Sequence, residues 1–132
     1  MSSKAALLCV DDEKYILSSL KGQLKEHFGS QFVIETAESA TEAWEVIDEL
    51  MQGDTRIVLI VTDWLMPRIK GDTFLIQLHN KFPGIIKIML TGQANRESVD
   101  RARNEGGLFR CLNKPWDENE LFETIEAGLN RL

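Results

Sequence analysis

Polar side chains follow several short apolar stretches of this chain, at the points where buried strands would end. Asp11 and Asp12 follow the first stretch, and Asp63 ends the longest one. Thr91 and Lys114 follow two later stretches. In an open parallel sheet, ligands bind outside the carboxyl ends of the strands. We therefore expect these five side chains to lie together at one edge of a sheet.

The chemistry of this set is that of a hard metal ion and a phosphoryl group. Three carboxylates gathered at one edge repel, and one takes up a proton unless a cation intervenes. Mg²⁺ binds carboxylates, a carbonyl and waters, and it leaves positions for a phosphate. Lys114 adds a positive charge for a phosphoryl oxygen, and Thr91 adds a hydroxyl donor. The residues predict Mg²⁺-dependent transfer of a phosphoryl group to a carboxylate.

Alternating apolar and helical patterns indicate the elements that position these residues. Apolar, strand-like stretches occupy residues 5–10, 31–36, 57–63, 85–90 and 108–112. Helical spacing of apolar residues begins near residues 14, 39, 71, 95 and 117. Five alternations of strand and helix predict an α/β fold, with a parallel sheet and helices on both of its faces. The 132 residues are enough for one domain, which we assign to residues 1–132.

The stretch at 95–104 is the most polar of the predicted helices. Only Val99 and Ala102 are apolar residues that could anchor it. Glu97 and Arg101 are predicted to pair along its surface, at the favourable i,i+4 spacing. We therefore expect this helix to be the least firmly packed.

Composition limits the classes of partner and location. The net charge of −6 disfavours direct binding of nucleic acid, whose phosphates attract clustered basic residues. No apolar run approaches the roughly 20 residues of a membrane span, so a membrane location is disfavoured and a cytoplasmic one is expected. Cys9 and Cys111 both lie in strand-like runs and are predicted to be buried free thiols.

Four motifs together make the chain similar to the receiver domains of two-component response regulators. They are Val10-Asp11-Asp12-Glu13, Thr62-Asp63-Trp64-Leu65-Met66-Pro67 with Gly71, Leu90-Thr91-Gly92, and Asn113-Lys114-Pro115-Trp116. The resemblance covers the whole chain and implies a single doubly wound (βα)5 flavodoxin-like domain with the strand order 2-1-3-4-5. In that order, Cys9 and Cys111 lie too far apart for a disulfide.

The resemblance also implies the metal site and the phosphorylated residue. Asp63 is the implied phosphoacceptor. Asp12, Asp63 and the backbone carbonyl of Leu65 are the implied Mg²⁺ ligands, and Asp11 would act through water.

Further roles follow from the same resemblance. Lys114 would pair with the phosphoryl group, and the peptide bond to Pro115 is often cis in such domains. Thr91 would follow the new phosphate. Where many receivers carry Tyr or Phe three residues before the lysine, this chain has Cys111. Phe109, two residues earlier, is predicted on the same strand face, so either residue could serve in place of the aromatic side chain.

By the same resemblance, the chain is a signalling phosphoacceptor rather than an enzyme. At most it would take phosphoryl groups from small donors and lose them slowly. Its implied donor is a sensor histidine kinase or a histidine phosphotransfer protein. Phosphorylation would switch the surface of the fourth helix, fifth strand and fifth helix toward a downstream protein, an output domain or a second copy. Alternatively, the chain is the receiver module of a larger protein whose output is a cyclic-dinucleotide enzyme or a kinase.

Two other classes fit the residues less well. A phosphatase of the haloacid dehalogenase type needs a second Asp two residues after its nucleophile, where this chain has Leu65. A flavin-binding module of the same strand order would place a Ser/Thr/Gly-rich phosphate loop after the first strand. Here that loop begins Asp11-Asp12-Glu13, which would repel a phosphate. P-loop and GxGxxG fingerprints are also absent from the sequence.

Overall fold

The computed structural model describes residues 4–132, and residues 1–3, included in the predicted domain, lie outside the described part. Five strands alternate with five α-helices. In chain order these are β1 (Lys4–Val10), α1 (Lys14–Phe28), β2 (Val33–Ala37), α2 (Ala40–Gln52), β3 (Thr55–Thr62), α3 (Gly71–Lys81), β4 (Ile86–Thr91), α4 (Arg96–Gly106), β5 (Arg110–Asn113) and α5 (Glu118–Leu129). No helix in this part of the chain is long and apolar enough to cross a membrane.

The strands form one parallel sheet in the order β2-β1-β3-β4-β5. This is the flavodoxin-like order that the resemblance implied, and the fold class is confirmed. Helices α1 and α5 cover one face of the sheet, while α2, α3 and α4 cover the other. β3 is central and its side chains enter both core layers, which explains its nearly continuous apolar sequence.

The start of β5 corrects the prediction for Phe109. The amide of Leu108 still caps α4 by donating to the Ala102 carbonyl, and the regular strand begins only at Arg110. Two-residue alternation therefore does not extend back to Phe109. Phe109 packs on the side of α1 and α5, whereas Cys111 packs on the side of α2 to α4. Phe109 is therefore on the wrong face to replace the Tyr or Phe that many receivers carry three residues before the lysine.

Helix α4 is also held differently from the prediction. Arg101 does not pair with Glu97; its guanidinium binds the buried Asp72 of α3 at 3.0 Å and lies 3.8 Å from Glu105. The carboxylate on α3 competes successfully because burial removes the water that weakens exposed pairs along a helix. Ala102 and Gly106 are buried against the neighbouring structure, and Gly106 approaches the backbone of Leu75 closely.

Lys87 is a buried cation near the start of β4. Only 1% of the residue is exposed, and its Nζ donates to the Ile85 carbonyl at 2.6 Å. It forms no salt bridge with any residue from 4 to 132. Burial lowers the pKa of Lys87 from 10.5 to about 8.

We expect Lys87→Met to stabilise the protein by about 2 kcal/mol at pH 7, after allowance for the lost bond to Ile85. Below pH 8 the folded state must bury the cation, whereas above that pH it sheds the proton that the unfolded chain retains up to about 10.5. The free energy of unfolding of the parent therefore rises between pH 8 and about pH 10.5, and the difference in stability between Lys87→Met and the parent becomes smaller. Urea denaturation at pH 7 and pH 10 measures this, with exposed Lys25→Met as the control. A methionine variant that is no more stable at pH 7 would contradict the prediction.

Candidate functional site

The sheet brings the five polar side chains predicted at the strand ends to one edge. Asp11 and Asp12 follow β1, Asp63 follows β3, Thr91 ends β4, and Lys114 follows β5. A cleft of about 300 Å³ opens there. It is lined by Asp12, Glu13, Asp63, Leu65, Thr91, Gly92, Gln93 and Lys114.

Lys114 joins the two buried carboxylates of the site. Its Nζ donates to Asp11 Oδ2 at 2.6 Å and to Asp63 Oδ2 at 3.1 Å. Burial alone would lower the pKa of Lys114, but the hydrogen bonds and charges of Asp11 and Asp63 outweigh burial and raise it. Lys114 is therefore a cation at neutral pH, positioned beside Asp63 for a second anion in the cleft.

Asp11 lies deeper than the other carboxylates. Burial raises its pKa, against the opposing effects of the Lys114 ammonium and of a hydrogen bond from the Glu13 amide. Oδ1 accepts that amide at 2.9 Å and Oδ2 accepts Lys114, so both oxygens are engaged. Asp12 is exposed, and no hydrogen bond to its carboxylate is found among the described residues. Asp12 is therefore freer than Asp11 to bind a metal directly.

The carboxylates fit a hard divalent cation. Ligand oxygens of Asp11, Asp12 and Asp63 lie within 4.8 Å of one another. Oxygen donors with several negative charges suit Mg²⁺, which retains waters and binds through one or two carboxylates. Leu65 lines the same cleft as Asp12 and Asp63. The donor set thus supports the predicted metal, although the role of each ligand stays a prediction.

Thr91 and the end of β5 complete the cleft. The Thr91 hydroxyl oxygen accepts a hydrogen bond from the Gln93 amide at 3.2 Å. A hydroxyl both accepts and donates, so its hydrogen is available to a ligand. The Lys114 amide donates to the Thr91 carbonyl, which connects the two loops. The Lys114–Pro115 bond is cis, as the resemblance implied.

The loop after Asp63 is tied back to the start of α3. The Trp64 amide donates to Asp63 Oδ1 at 2.7 Å, and the Gly71 amide donates to the Trp64 carbonyl at 2.8 Å. A Cβ at Gly71 would lie 2.1 Å from the Asp63 carbonyl oxygen, so only glycine permits this approach. The sequence motif included Gly71, but no local pattern indicated what it contacts. No local pattern indicated the contact of Asp72 either; its carboxylate accepts a hydrogen bond from the Trp64 indole.

We expect Asp12→Asn to weaken Mg²⁺ binding by at least about tenfold, because the amide removes the negative charge of the most accessible ligand. Trp64 adjoins Asp63, so Mg²⁺ titration of tryptophan fluorescence reports binding. Asp48→Asn changes an exposed carboxylate on α2 and serves as the control. An unchanged titration of Asp12→Asn would show that Asp12 is not a ligand.

Known proteins resemble this chain in sequence and in fold. A family model described as the response regulator receiver domain matches residues 7–126. The hydrogenase transcriptional regulatory protein HoxA of Cupriavidus necator is 32% identical over 130 residues, which are 98% of this chain and 25% of that protein. The chain thus spans about a quarter of the length of the HoxA regulators that it matches.

Solved structures of receiver domains also match this chain in fold. The signal receiver domain of an HD domain-containing protein from Pseudomonas fluorescens matches with a TM-score of 0.86 and 27% identity, covering 99% of this chain and 90% of that chain. A CheY-like response regulator receiver domain protein from Methanospirillum hungatei matches with a TM-score of 0.84 and 31% identity. That match covers 98% of this chain and 96% of the other.

Proposed function

The chain belongs to the response regulator receiver domain family, and we propose from this that Asp63 is its phosphoacceptor. Receiver domains are signalling phosphoacceptors in two-component systems. The observation that carries the assignment is the position of Asp63 at the end of β3, with its Oδ2 3.1 Å from the Lys114 ammonium. It is the buried carboxylate that lines the cleft directly.

The proposed reaction is a phosphoryl transfer in which the protein supplies position and charge. A carboxylate oxygen of Asp63 attacks phosphorus, the bond from phosphorus to the donor atom breaks, and the donor retains that electron pair. Lys114 would move from Asp63 toward the transferred group, because the acyl phosphate carries its charge on the phosphoryl oxygens. The Thr91 hydroxyl would donate to another of these oxygens.

Mg²⁺ would be held by Asp12, Asp63 and the Leu65 carbonyl, with Asp11 acting through water. When bound, it neutralises the negative charge that the phosphoryl group brings to a site already rich in carboxylates. Asp11 would remain paired with Lys114 and keep the lysine at the edge of the cleft.

The donor we propose is a sensor histidine kinase or a histidine phosphotransfer protein in the cytoplasm. Small donors such as acetyl phosphate would react directly, and the acyl phosphate would hydrolyse slowly. Phosphorylation would alter the surface formed by α4, β5 and α5, to which a downstream protein, an output domain or a second copy would bind. The alternative is a module of a longer protein with a cyclic-dinucleotide enzyme or a kinase as output.

Intact-mass measurement tests the proposal. The protein is incubated with acetyl phosphate and Mg²⁺, and it should gain the mass of one phosphoryl group. Peptide mapping should place that group on residue 63. Chelation of Mg²⁺ before the reaction should prevent labelling, since the carboxylates then repel the donor. Labelling at another residue, or labelling that ignores chelation, would count against the proposed site.

A further inference from the structure

A third buried carboxylate, Asp72, lies outside the acidic cleft. It is on the first turn of α3, and its side chain is 8% exposed. Its Oδ1 accepts a hydrogen bond from Trp64 Nε1 at 3.1 Å, and its Oδ2 accepts one from Arg101 Nη1 at 3.0 Å. We call these three residues the Trp64–Asp72–Arg101 cluster. Because a buried carboxylate is costly without partners, Asp72 depends on both donors.

One end of the cluster is attached to the phosphoacceptor. Trp64 follows Asp63, and its backbone amide donates to Asp63 Oδ1 at 2.7 Å. The indole lies under the Lys70 ammonium, 4.7 Å from the ring centroid, while its Nε1 is bound to Asp72. The backbone of Trp64 therefore contacts Asp63 and its ring contacts Asp72. Movement of one contact must be accommodated at the other.

The other end of the cluster holds α4. Arg101 projects from that helix and donates to Thr73 Oγ1 at 3.1 Å as well as to Asp72. The only residues of α4 that are buried are Ala102 and Gly106, in the second half of the helix. With so little apolar burial, the position of α4 depends strongly on its polar contacts with α3. Arg101 supplies two of them.

We propose that the Trp64–Asp72–Arg101 cluster couples the charge on Asp63 to the position of α4, with Asp72 and Arg101 as positioning residues. The inference rests on the proposed function, because phosphorylation is the event that changes this charge. The hydrogen bond from the Trp64 amide to the ionised Asp63 is charge-assisted. Phosphorylation turns the carboxylate into a neutral acyl group and weakens this bond. The position of the Trp64 ring relative to Asp72 then changes. Because Arg101 is bonded to Asp72, the position of α4 changes with it.

The residue three positions before Lys114 gives such a route a role. Cys111 stands there, and it has no ring that could turn inward behind Thr91. Phe109 packs on the opposite face of the sheet. The described contacts of the Trp64–Asp72–Arg101 cluster provide a continuous path from Asp63 to α4 that needs neither residue.

Hydrogen exchange of α4 amides tests the coupling in the full chain. Exchange is compared with and without Mg²⁺ and beryllofluoride, an analogue of the phosphoryl group. Coupling between sites typically amounts to about 5- to 150-fold, so we expect the parental α4 rates to change by about fivefold or more. In Arg101→Met and in Trp64→Phe, which removes the Nε1 donor, the change should fall below about twofold.

Two further variants separate coupling from general loosening of the fold. Arg103→Met removes an exposed α4 arginine whose partner, Asp100, is on the same helix, so it should keep the parental response. Arg101→Lys preserves the ion pair but not the second bond to Thr73, so it should restore part of the response. A parental response retained in both Arg101→Met and Trp64→Phe would overturn the proposal. So would an α4 helix of the parent that does not respond.

Phosphorylation by acetyl phosphate distinguishes this failure from failure of the proposed function. Arg101→Met should still be labelled at Asp63, because the carboxylates and Lys114 are unchanged. A parent that is labelled at Asp63 but shows no α4 response overturns the coupling alone. A parent that is not labelled, but whose α4 responds to Mg²⁺ and beryllofluoride through the cluster, contradicts phosphorylation at Asp63 and supports the coupling.

Discussion

Asp63→Asn is expected to reduce phosphorylation by acetyl phosphate to background. The amide is close to the carboxylate in size but is a poor nucleophile. It also lacks the charge that pairs with Lys114 and that we propose binds Mg²⁺. Asp11 still pairs with the Lys114 ammonium at 2.6 Å, so the site should stay folded. Intact mass after incubation with acetyl phosphate and Mg²⁺ measures the effect.

The control for this variant is Asp48→Asn, which alters an exposed carboxylate on α2 that does not line the cleft. It should gain one phosphoryl group at the parental rate. Denaturation in urea should show that Asp63→Asn is folded under the labelling conditions. Equal labelling of Asp63→Asn and the parent would mean that a different residue accepts the phosphoryl group.

Gly71→Ala is expected to destabilise the protein by about 3 kcal/mol or more. The new Cβ would lie 2.1 Å from the Asp63 carbonyl oxygen and 2.8 Å from the Trp64 Cα. Both atoms belong to the backbone, so no side chain can rotate away to relieve the contact. Either α3 or the loop after β3 must shift. Because Asp63 and Leu65 are in that loop, Mg²⁺ affinity should fall as well.

Gly22→Ala is the matched control, since a Cβ at that position meets nothing within 4 Å. Gly22 is inside α1, where alanine is favoured over glycine by about 0.5–1 kcal/mol. This variant should therefore be more stable than the parent. Urea denaturation of both variants gives the free energies of unfolding. A cost below about 1 kcal/mol for Gly71→Ala would show that the loop adapts easily.

The positions of the strands and their polar ends could be predicted from the sequence because both depend on local chemistry. The continuous apolar run before Asp63 reflects burial on two faces of a sheet, and that requirement holds for any partner strand. Once alternating helices make the sheet parallel, the carboxyl ends of its strands must share one edge. The grouping of Asp11, Asp12, Asp63, Thr91 and Lys114 follows from those two facts. The strand order came only from the family resemblance.

Contacts between distant elements were decided by the tertiary structure alone. Arg101 had a suitable neighbour in Glu97, but folding placed the buried carboxylate of Asp72 within its reach, and a desolvated partner is the stronger one. Phe109 faces away from Cys111 because the cap of α4 occupies the residues before β5. The approach of α3 to the Asp63 loop explains Gly71. Each depends on where separate elements meet, and neither spacing nor composition along the chain carries that information.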